Sequence, residues 1–519
     1  MTPGGAHPQP TARALPLATL TAGLIEAPSD VVVTDVTLDS RKVRPGALFL
    51  ACRGATRHGM EFAEQAAAAG ARAILYEESV APTPATLAAR SAEALFIASV
   101  PQLARHVGTI ADRFFGSPSR YLSIAGVTGT NGKTTCAYLL AQALTHSGRR
   151  AGYIGTLGSG VPGALSPFGL TTADAVSVQR QLAELRELGT EWVGMEVSSH
   201  ALEQGRVDAV RLRVAAFTNL TRDHLDYHGS MQTYGAAKQK LFEMRALAAR
   251  VINIDDDFGR ELAARLPDDG SLIITTRGEV RADAPEVLRT ARFVRARKAQ
   301  ALPAALRFSV ESSWGDAELA VPLIGDFNVD NILTVIALLC SFKVPLAQAA
   351  TALAACRAAP GRMEMIEEHG VPVVAIVDYA HTPDALAKAL QAARTHCAGR
   401  LLVVFGCGGD RDPGKRPLMG GVAAQLADEI MLTDDNPRSE PPARIVADIL
   451  TGIGNRAAVR IEHDRERAIC GALAGASAGD IVLIAGKGHE DYQLYGSERR
   501  RFSDERAARA CLRTLQGRA

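Results

Sequence analysis

Residues 123–135, Ser-Ile-Ala-Gly-Val-Thr-Gly-Thr-Asn-Gly-Lys-Thr-Thr, constrain the fold more than any other stretch of the chain. An apolar run over 121–127 predicts a strand, glycines predict a loop, and 134–145 predict a helix. Glycine lets backbone N–H groups close around phosphate oxygens, and the helix start adds partial positive charge. Lys133 would then reach the terminal phosphates, and the Thr134 hydroxyl would hold Mg²⁺. The common pattern G-x-x-x-x-G-K-[ST] is not met in full, because Val127 stands where its first glycine belongs.

A strand–loop–helix unit of this kind belongs to a parallel sheet. The rest of the chain agrees, with short β-rich runs alternating with Ala/Leu-rich helical stretches, as in α/β folds. At ~150 residues per domain, 519 residues predict about three domains. Turn-rich breaks at 116–119 and 358–361, each before a fresh apolar run, place them at 1–115, 116–357 and 358–519. Lys+Arg 57 against Asp+Glu 56 argues against a nucleic-acid coat or a membrane-surface protein. The longest apolar run, 332–342, is too short to span a bilayer. At the N-terminus, Pro3, Pro8 and Pro10 and a single preceding Arg13 do not resemble a signal peptide. Eight scattered cysteines without a CxxC pair predict free thiols in a reducing cytoplasm.

Several polar residues end apolar runs, where open α/β sheets bind ligands. Glu196 closes the run 192–197, and a hard oxygen donor there suits Mg²⁺. His224 and His228 lie in the segment 217–229. Asp378 and His381 follow the run 371–377, after which Thr382 could cap a helix with Pro383 at its first position. Asn328 could cap the helix holding 332–342. Three loops, 406–417, 433–438 and 486–490, follow further strand-like runs. In them Arg411 and Arg438 could grip a carboxylate, while Asp435 and Glu490 could bind an ammonium. Together they suit an amino acid with an additional zwitterionic end.

The segment Gly129-Thr130-Asn131-Gly132-Lys133-Thr134-Thr135 resembles the ATP loop of the Mur ligases, which build the peptide stem of peptidoglycan. Folylpolyglutamate synthetases share that superfamily. The resemblance extends from about Leu38 to Glu490. It implies three α/β domains, with a central P-loop-type parallel-sheet ATPase domain and a Rossmann-like C-terminal domain. The first would bind UDP, the second ATP and the third the amino acid. Alongside residues 129–135, the resemblance assigns Asn331, Arg362 and Asp378 to ATP. Thr134, Glu196, His224 and Lys238 would bind Mg²⁺, and Lys133 would join the last three in catalysis. Lys238 lies in Tyr-Gly-Ala-Ala-Lys-Gln-Lys-Leu-Phe, 234–242, and would be N6-carboxylysine; from sequence alone it is a helix-surface lysine.

Leu38, Ser40, Thr171, Thr172, Ser198, Gln204 and Arg206 match positions that hold the UDP-sugar peptide. Leu170 stands where relatives often carry Asn before the threonine pair, and His58, within the looser stretch 54–59, where they commonly carry Asp. Asp435, Asn436, Pro437 and Arg438 resemble the recognition motif of the diaminopimelate-adding branch, with Arg411, Gly486 and Glu490 completing that site. Lysine-adding relatives differ at the final Arg, which can pair with the second carboxylate that diaminopimelate has and lysine lacks.

The implied reaction phosphorylates the D-Glu γ-carboxylate of UDP-MurNAc-L-Ala-D-Glu with ATP, after which the amine of meso-diaminopimelate displaces phosphate. The implied partners are those three small molecules, with no nucleic acid and no membrane insertion, for a cytoplasmic monomer. Two alternatives stay open on the residues: a lysine-adding or folylpolyglutamate-type ligase, and an ATP-binding protein with no ligase step.

Overall fold

The computed structural model describes residues 13–54, 56–77, 95–455 and 458–516. Pro3, Pro8, Pro10 and Ala55 lie outside them. The chain forms two compact units: Met1–Lys133 with Gly148–Val251 and Arg265–Leu272, and Thr134–Ser147 with Ile252–Ala264 and Ile273–Ala519.

The first unit begins with a four-stranded sheet of Asp35–Thr37, Ala47–Ala51, Ala73–Tyr76 and Phe96–Ser99, all parallel. Ala47–Ala51 is buried at every position, which is why it reads as an unbroken apolar run rather than an alternating one. Helix Leu103–Phe114 packs on this core through Leu103, Val107, Ile110, Ala111 and Phe114, one face at helical spacing. Helix Ala175–Glu187 shares the same core through Ala175, Val176 and Ala183, and its Arg180 donates to Asp35 Oδ1 at 2.7 Å.

Another sheet sets the strands Ala151–Gly155, Trp192–Glu196, Ser123–Thr128 and Val214–Phe217 of this unit side by side and parallel. An antiparallel pair, Gly158–Val161 and Ala164–Ser166, extends one edge. In the register Glu196 lies opposite Val127, and Phe217 opposite Thr128. The carboxyl ends of three strands therefore deliver Glu196, the loop after Thr128 and Thr218 to one place.

In the second unit, Arg292–Leu302, Ala305–Ser312 and Gly315–Val321 form an antiparallel meander. Leu306, Phe308 and Val310 face inward and alternate with less buried residues, the period-two pattern of a sheet with one covered face. Helix Asn328–Ser341 is buried almost all round, which accounts for the long apolar run 332–342. A six-stranded sheet follows in the order Glu364–Ile366, Val374–Asp378, Ile481–Ala485, Leu401–Phe405, Glu429–Leu432, Ala458–Ile461. All its pairings are parallel except that of the Glu364–Ile366 edge. The α/β, Rossmann-like expectation holds here.

Of three local expectations, one holds and two do not. Thr382 does cap helix Pro383–Arg394, accepting from Ala385 N at 3.3 Å. Asn328 is not a cap: Phe327 occupies that position, and the Asn328 amide donates to Ile324 O at 2.7 Å and accepts from Asn331 Nδ2 at 2.8 Å. The thiols are not all free, because Cys470 and Cys511 are joined in a disulfide. Their helices, Arg465–Ala474 and Asp504–Gln516, pack together and bring the Cα atoms within 5.3 Å, inside the range a disulfide spans. Spacing in sequence could not show a contact between cysteines 41 residues apart on two helices.

Candidate active site

In the first unit the phosphate-type loop is drawn tight by its neighbour strand. Thr130 N donates to Asn219 O at 2.8 Å, Asn131 N to Asn219 Oδ1 at 2.9 Å, and Thr218 Oγ1 to Asn131 O at 2.5 Å. Gly129 has φ +147°, and a Cβ there would sit 1.9 Å from Thr218 Oγ1. Only glycine meets both demands. Gly129→Ala is therefore expected to strain the loop by about 1–3 kcal/mol. It should weaken nucleotide binding at least tenfold in titration calorimetry, with a small drop in melting temperature.

The ammonium of Lys133 donates to Gly129 O and Thr130 O, both at 2.8 Å, folded back over the loop it would use to grip phosphate. Lys238 also donates to Gly129 O, at 2.9 Å. It is 1% exposed and not the surface lysine that its sequence context suggests. Burial, then the nearby positive charge of Lys133, hold its pKa well below the ordinary lysine value. Its amine lies 4.3 Å from the centroid of Tyr234. That ring is a hub: its hydroxyl is 3.2 Å from Thr130 Oγ1, and its centroid is 5.1 Å from His228 and 6.1 Å from His224. His224 sits in the left-handed region at φ +52°, half exposed, with His200 4.9 Å away centroid to centroid. Burial, then His224 and His228, lower the pKa of His200.

Glu196 has 0% exposure, and its carboxylate accepts hydrogen bonds from Tyr153 and Thr156. Tyr153 donates to Oε1, as does Thr156 N at 2.9 Å, and Thr156 Oγ1 donates to Oε2 at 3.2 Å. The set expected for the sugar peptide joins this network. Thr156 Oγ1 meets Thr171 Oγ1 at 3.2 Å, and Thr172 Oγ1 donates to Glu196 O at 3.0 Å and accepts from Ser198 N at 3.0 Å. Arg206 donates to Thr172 O at 2.8 Å and to Gln204 Oε1 at 2.9 Å, while Ser198 caps the helix Ser199–Glu203. Leu38 is half-buried against the N-terminal core, and Ser40 donates to Gln65 Oε1 at 2.9 Å. Neither hydrogen-bonds to the 171–206 set among the described residues.

In the second unit, Thr134 and Thr135 open the helix Lys133–His146, whose Cys136 lies 3.5 Å from Asn331 Oδ1. Asp378 accepts from Met363 N at 2.8 Å and Ala380 N at 2.9 Å. Burial raises its pKa against the opposing pull of Arg362. The Arg362 guanidinium lies 4.8 Å from the Tyr379 centroid, and its buried Nε has no hydrogen-bond partner among the described residues. That orphan donor fits a site for an anion.

The loops expected to hold an amino acid do converge. Gly409 N donates to Asn436 O at 3.0 Å, and Arg438 Nη1 donates to Gly409 O at 2.7 Å. Asn436 Nδ2 donates to Glu490 Oε2 at 2.9 Å, and the fully buried Lys487 donates to Asn436 Oδ1 at 3.1 Å and Glu490 Oε2 at 3.0 Å. Gly486 has φ +115°, and a Cβ there would lie 2.7 Å from Asp435 Oδ2. Arg438 is pinned from behind by the hairpin of Tyr492–Tyr495 and Glu498–Arg501: its N donates to Leu494 O at 2.9 Å, and its O accepts from Gly496 N at 2.7 Å. Arg411 is exposed, with no side-chain partner among the described residues. A cavity of about 320 Å³ in this unit, lined by Ile274, Thr276, Leu288 and Phe293, contains none of these residues.

Sequence reasoning missed Tyr153, Thr156, His200 and Lys487. The usable signal was indirect: a carboxylate closing a buried strand needs donors, and polar residues on the adjacent strand were the place to look.

Parallel strands that deliver a Gly-Lys-Thr loop and a buried carboxylate, with a Rossmann-like sheet carrying paired arginine and carboxylate loops, define a nucleotide-dependent α/β ligase class. The chain belongs to the Mur ligase family. The family models "Mur ligase family, catalytic domain", "Mur ligase middle domain" and "Mur ligase, glutamate ligase domain" match residues 32–114, 127–339 and 361–488. The UDP-N-acetylmuramoyl-L-alanyl-D-glutamate–2,6-diaminopimelate ligase of Ectopseudomonas mendocina is 48% identical over 479 residues, covering 92% of this chain and 94% of that one. That of Pseudomonas aeruginosa is 46% identical over 490 residues, covering 93% and 96%. A solved structure of a ligase of the same description superposes with a TM-score of 0.68 at 32% identity, covering 97% of this chain and 99% of that one.

Proposed function

We infer that this chain is an ATP-dependent amide ligase that adds meso-2,6-diaminopimelate to UDP-N-acetylmuramoyl-L-alanyl-D-glutamate in peptidoglycan precursor synthesis. The observation that carries it is the Asp435–Arg438 turn, where a guanidinium fork stands over Gly409 and two carboxylates, Asp435 and Glu490, belong to the same loop cluster. Relatives carrying that activity in their names, aligned over more than nine-tenths of the chain, support the reading. The three family matches fall inside 1–115, 116–357 and 358–519, the proposed UDP, ATP and amino-acid regions.

The γ-carboxylate of the D-glutamyl residue attacks the γ-phosphorus of ATP, giving an acyl phosphate and ADP. The neutral amine of diaminopimelate then attacks the acyl carbon, phosphate leaves and the amide remains. Lys133 stabilises negative charge on the phosphoryl oxygens as they move. Thr171, Thr172, Ser198, Gln204 and Arg206 hold the sugar peptide, and Arg411 and Arg438 hold the distal carboxylate of the amino acid. Asn331, Arg362 and Asp378 serve the nucleotide. Glu196, with His224 and a carbamylated Lys238, would hold a hard divalent cation; the Glu196 carboxylate, buried and oriented by Tyr153 and Thr156, suits such an ion. Mg²⁺ bound there supplies charge neutralisation to the phosphates. Nucleotide substrates of this kind place the enzyme in the cytoplasm, and among the described residues no helix is long and apolar enough to cross a membrane.

Purified protein given ATP, Mg²⁺ and UDP-MurNAc-L-Ala-D-Glu should release phosphate on addition of meso-diaminopimelate, and far less with L-lysine or glutamate. Equal or better use of lysine would move it to the lysine-adding branch. No release with any amino acid would leave an ATP-binding protein without a ligase step.

A further inference from the structure

Arg465 and Asp504 form a wholly buried ion pair, each side chain 0% exposed. Asp504 is the first residue of the helix Asp504–Gln516, and Arg465 the first of Arg465–Ala474. The pairing is bidentate, Nε to Oδ1 at 2.7 Å and Nη2 to Oδ2 at 2.8 Å, so the guanidinium plane is fixed. Its outer N–H groups then reach two main-chain oxygens, Ala485 O at 3.0 Å and Asp434 O at 3.4 Å. Ala485 directly precedes Gly486, and Asp434 directly precedes Asp435. One side chain thus clasps the roots of both loops assigned to the amino acid.

Those loops leave strands that are not neighbours. Leu401–Phe405 runs between Ile481–Ala485 and Glu429–Leu432. The gap is crossed over Gly406, where a Cβ would sit 2.1 Å from Thr433 O. No ladder hydrogen bond can set the separation of the two loops, so side chains have to: Asn436, Lys487 and Glu490 join their tips, and Arg465 joins their roots. Gln493 provides a second tether to one of them, donating from Nε2 to Asp434 O and Asp435 O, both at 3.1 Å.

We propose that Arg465, oriented by Asp504, is a positioning residue that sets the spacing of Asp435–Arg438 against Gly486–Glu490 and so the affinity for the amino-acid substrate. It touches no substrate itself. The inference rests on the assignment of these loops to the amino acid. Wild-type phosphate release with diaminopimelate tests that assignment first, independently of any variant.

The decisive readout is a split between Michaelis constants. Arg465→Lys keeps the charge but loses the planar fork, and Asp504→Asn keeps the shape but loses the charge that holds it. Both should raise KM for diaminopimelate tenfold or more while KM for ATP stays within about twofold. Cys511→Ala, which removes the disulfide between the same two helices without touching either loop, is the stability control. It should lower the melting temperature and leave both KM values unchanged. If Arg465→Lys and Asp504→Asn lower the melting temperature but leave KM for diaminopimelate within twofold of wild type, or raise both KM values together, the pair is only structural and the proposal is wrong. Should neither fold, Asp504→Glu, which keeps the charge and displaces the fork, takes their place, and an unchanged KM for diaminopimelate there would overturn the proposal equally.

Discussion

Arg438→Ala is expected to lower kcat/KM for meso-diaminopimelate by about 30- to 300-fold and to leave KM for ATP unchanged. Truncating one partner of a desolvated charge pair costs about 2–5 kcal/mol, and about 1.4 kcal/mol is tenfold. Arg438 is only half-buried, so the lower part of that range applies. Its backbone is held at φ +53° by hydrogen bonds to Leu494 O and from Gly496 N, so the side chain leaves from a fixed point. Nη1 donates to Gly409 O at 2.7 Å, and the remaining donors are available to a carboxylate. Diaminopimelate offers two carboxylates and lysine one. The variant should therefore lose its preference between them, not merely its rate. Arg438→Lys should recover little, because a point charge cannot replace a fork. Phosphate release measured with each amino acid checks this. An unaltered preference in Arg438→Ala would mean that the residue only shapes its turn.

What the sequence made legible was local. The phosphate-type loop, the helix cap at Thr382 and the strand before Glu196 are written in consecutive residues, and each lies within about two residues of its expected place. The loops 406–417, 433–438 and 486–490 were legible as a set because all three follow apolar strands, whose carboxyl ends gather in a parallel sheet. What stayed hidden depends on contacts between distant segments. Tyr153 and Thr156 orient Glu196 from some 40 residues away, with no motif of their own. Asn328 sits where a helix cap would fall in sequence, but Phe327 takes that position and Asn328 points inward to Ile324 O and Asn331. The Cys470–Cys511 bond and the Arg465–Asp504 pair both arise from one helix–helix contact that neither helix announces.

Lys238 is the sharpest case, since its sequence context points to solvent and its environment points to chemistry. Lys238→Ala is expected to cut kcat by at least about 100-fold, the scale of removing one preorganised charge-stabilising group. A buried amine beside Lys133 is poorly placed to stay protonated, and its lowered pKa favours the neutral, nucleophilic form. On the proposed carbamylation, that neutral amine would add CO₂ at nitrogen with loss of one proton, giving a carboxylate able to pair with Lys133 and to offer oxygen to a metal ion. Lowering the pH protonates the amine and should slow the gain of activity when CO₂-depleted enzyme receives bicarbonate. Lys238→Arg, which cannot be carbamylated, should stay inactive. Lys238→Ala should regain part of its activity with acetate, whose carboxylate can enter the space vacated by the side chain. Melting temperatures close to wild type separate this outcome from misfolding. Near-normal turnover in Lys238→Ala, or density for a bare ammonium at 238 in a nucleotide- and Mg²⁺-bound crystal, would refute the assignment and leave Lys238 as a buried donor to Gly129 O, a role an uncharged amine fills equally well.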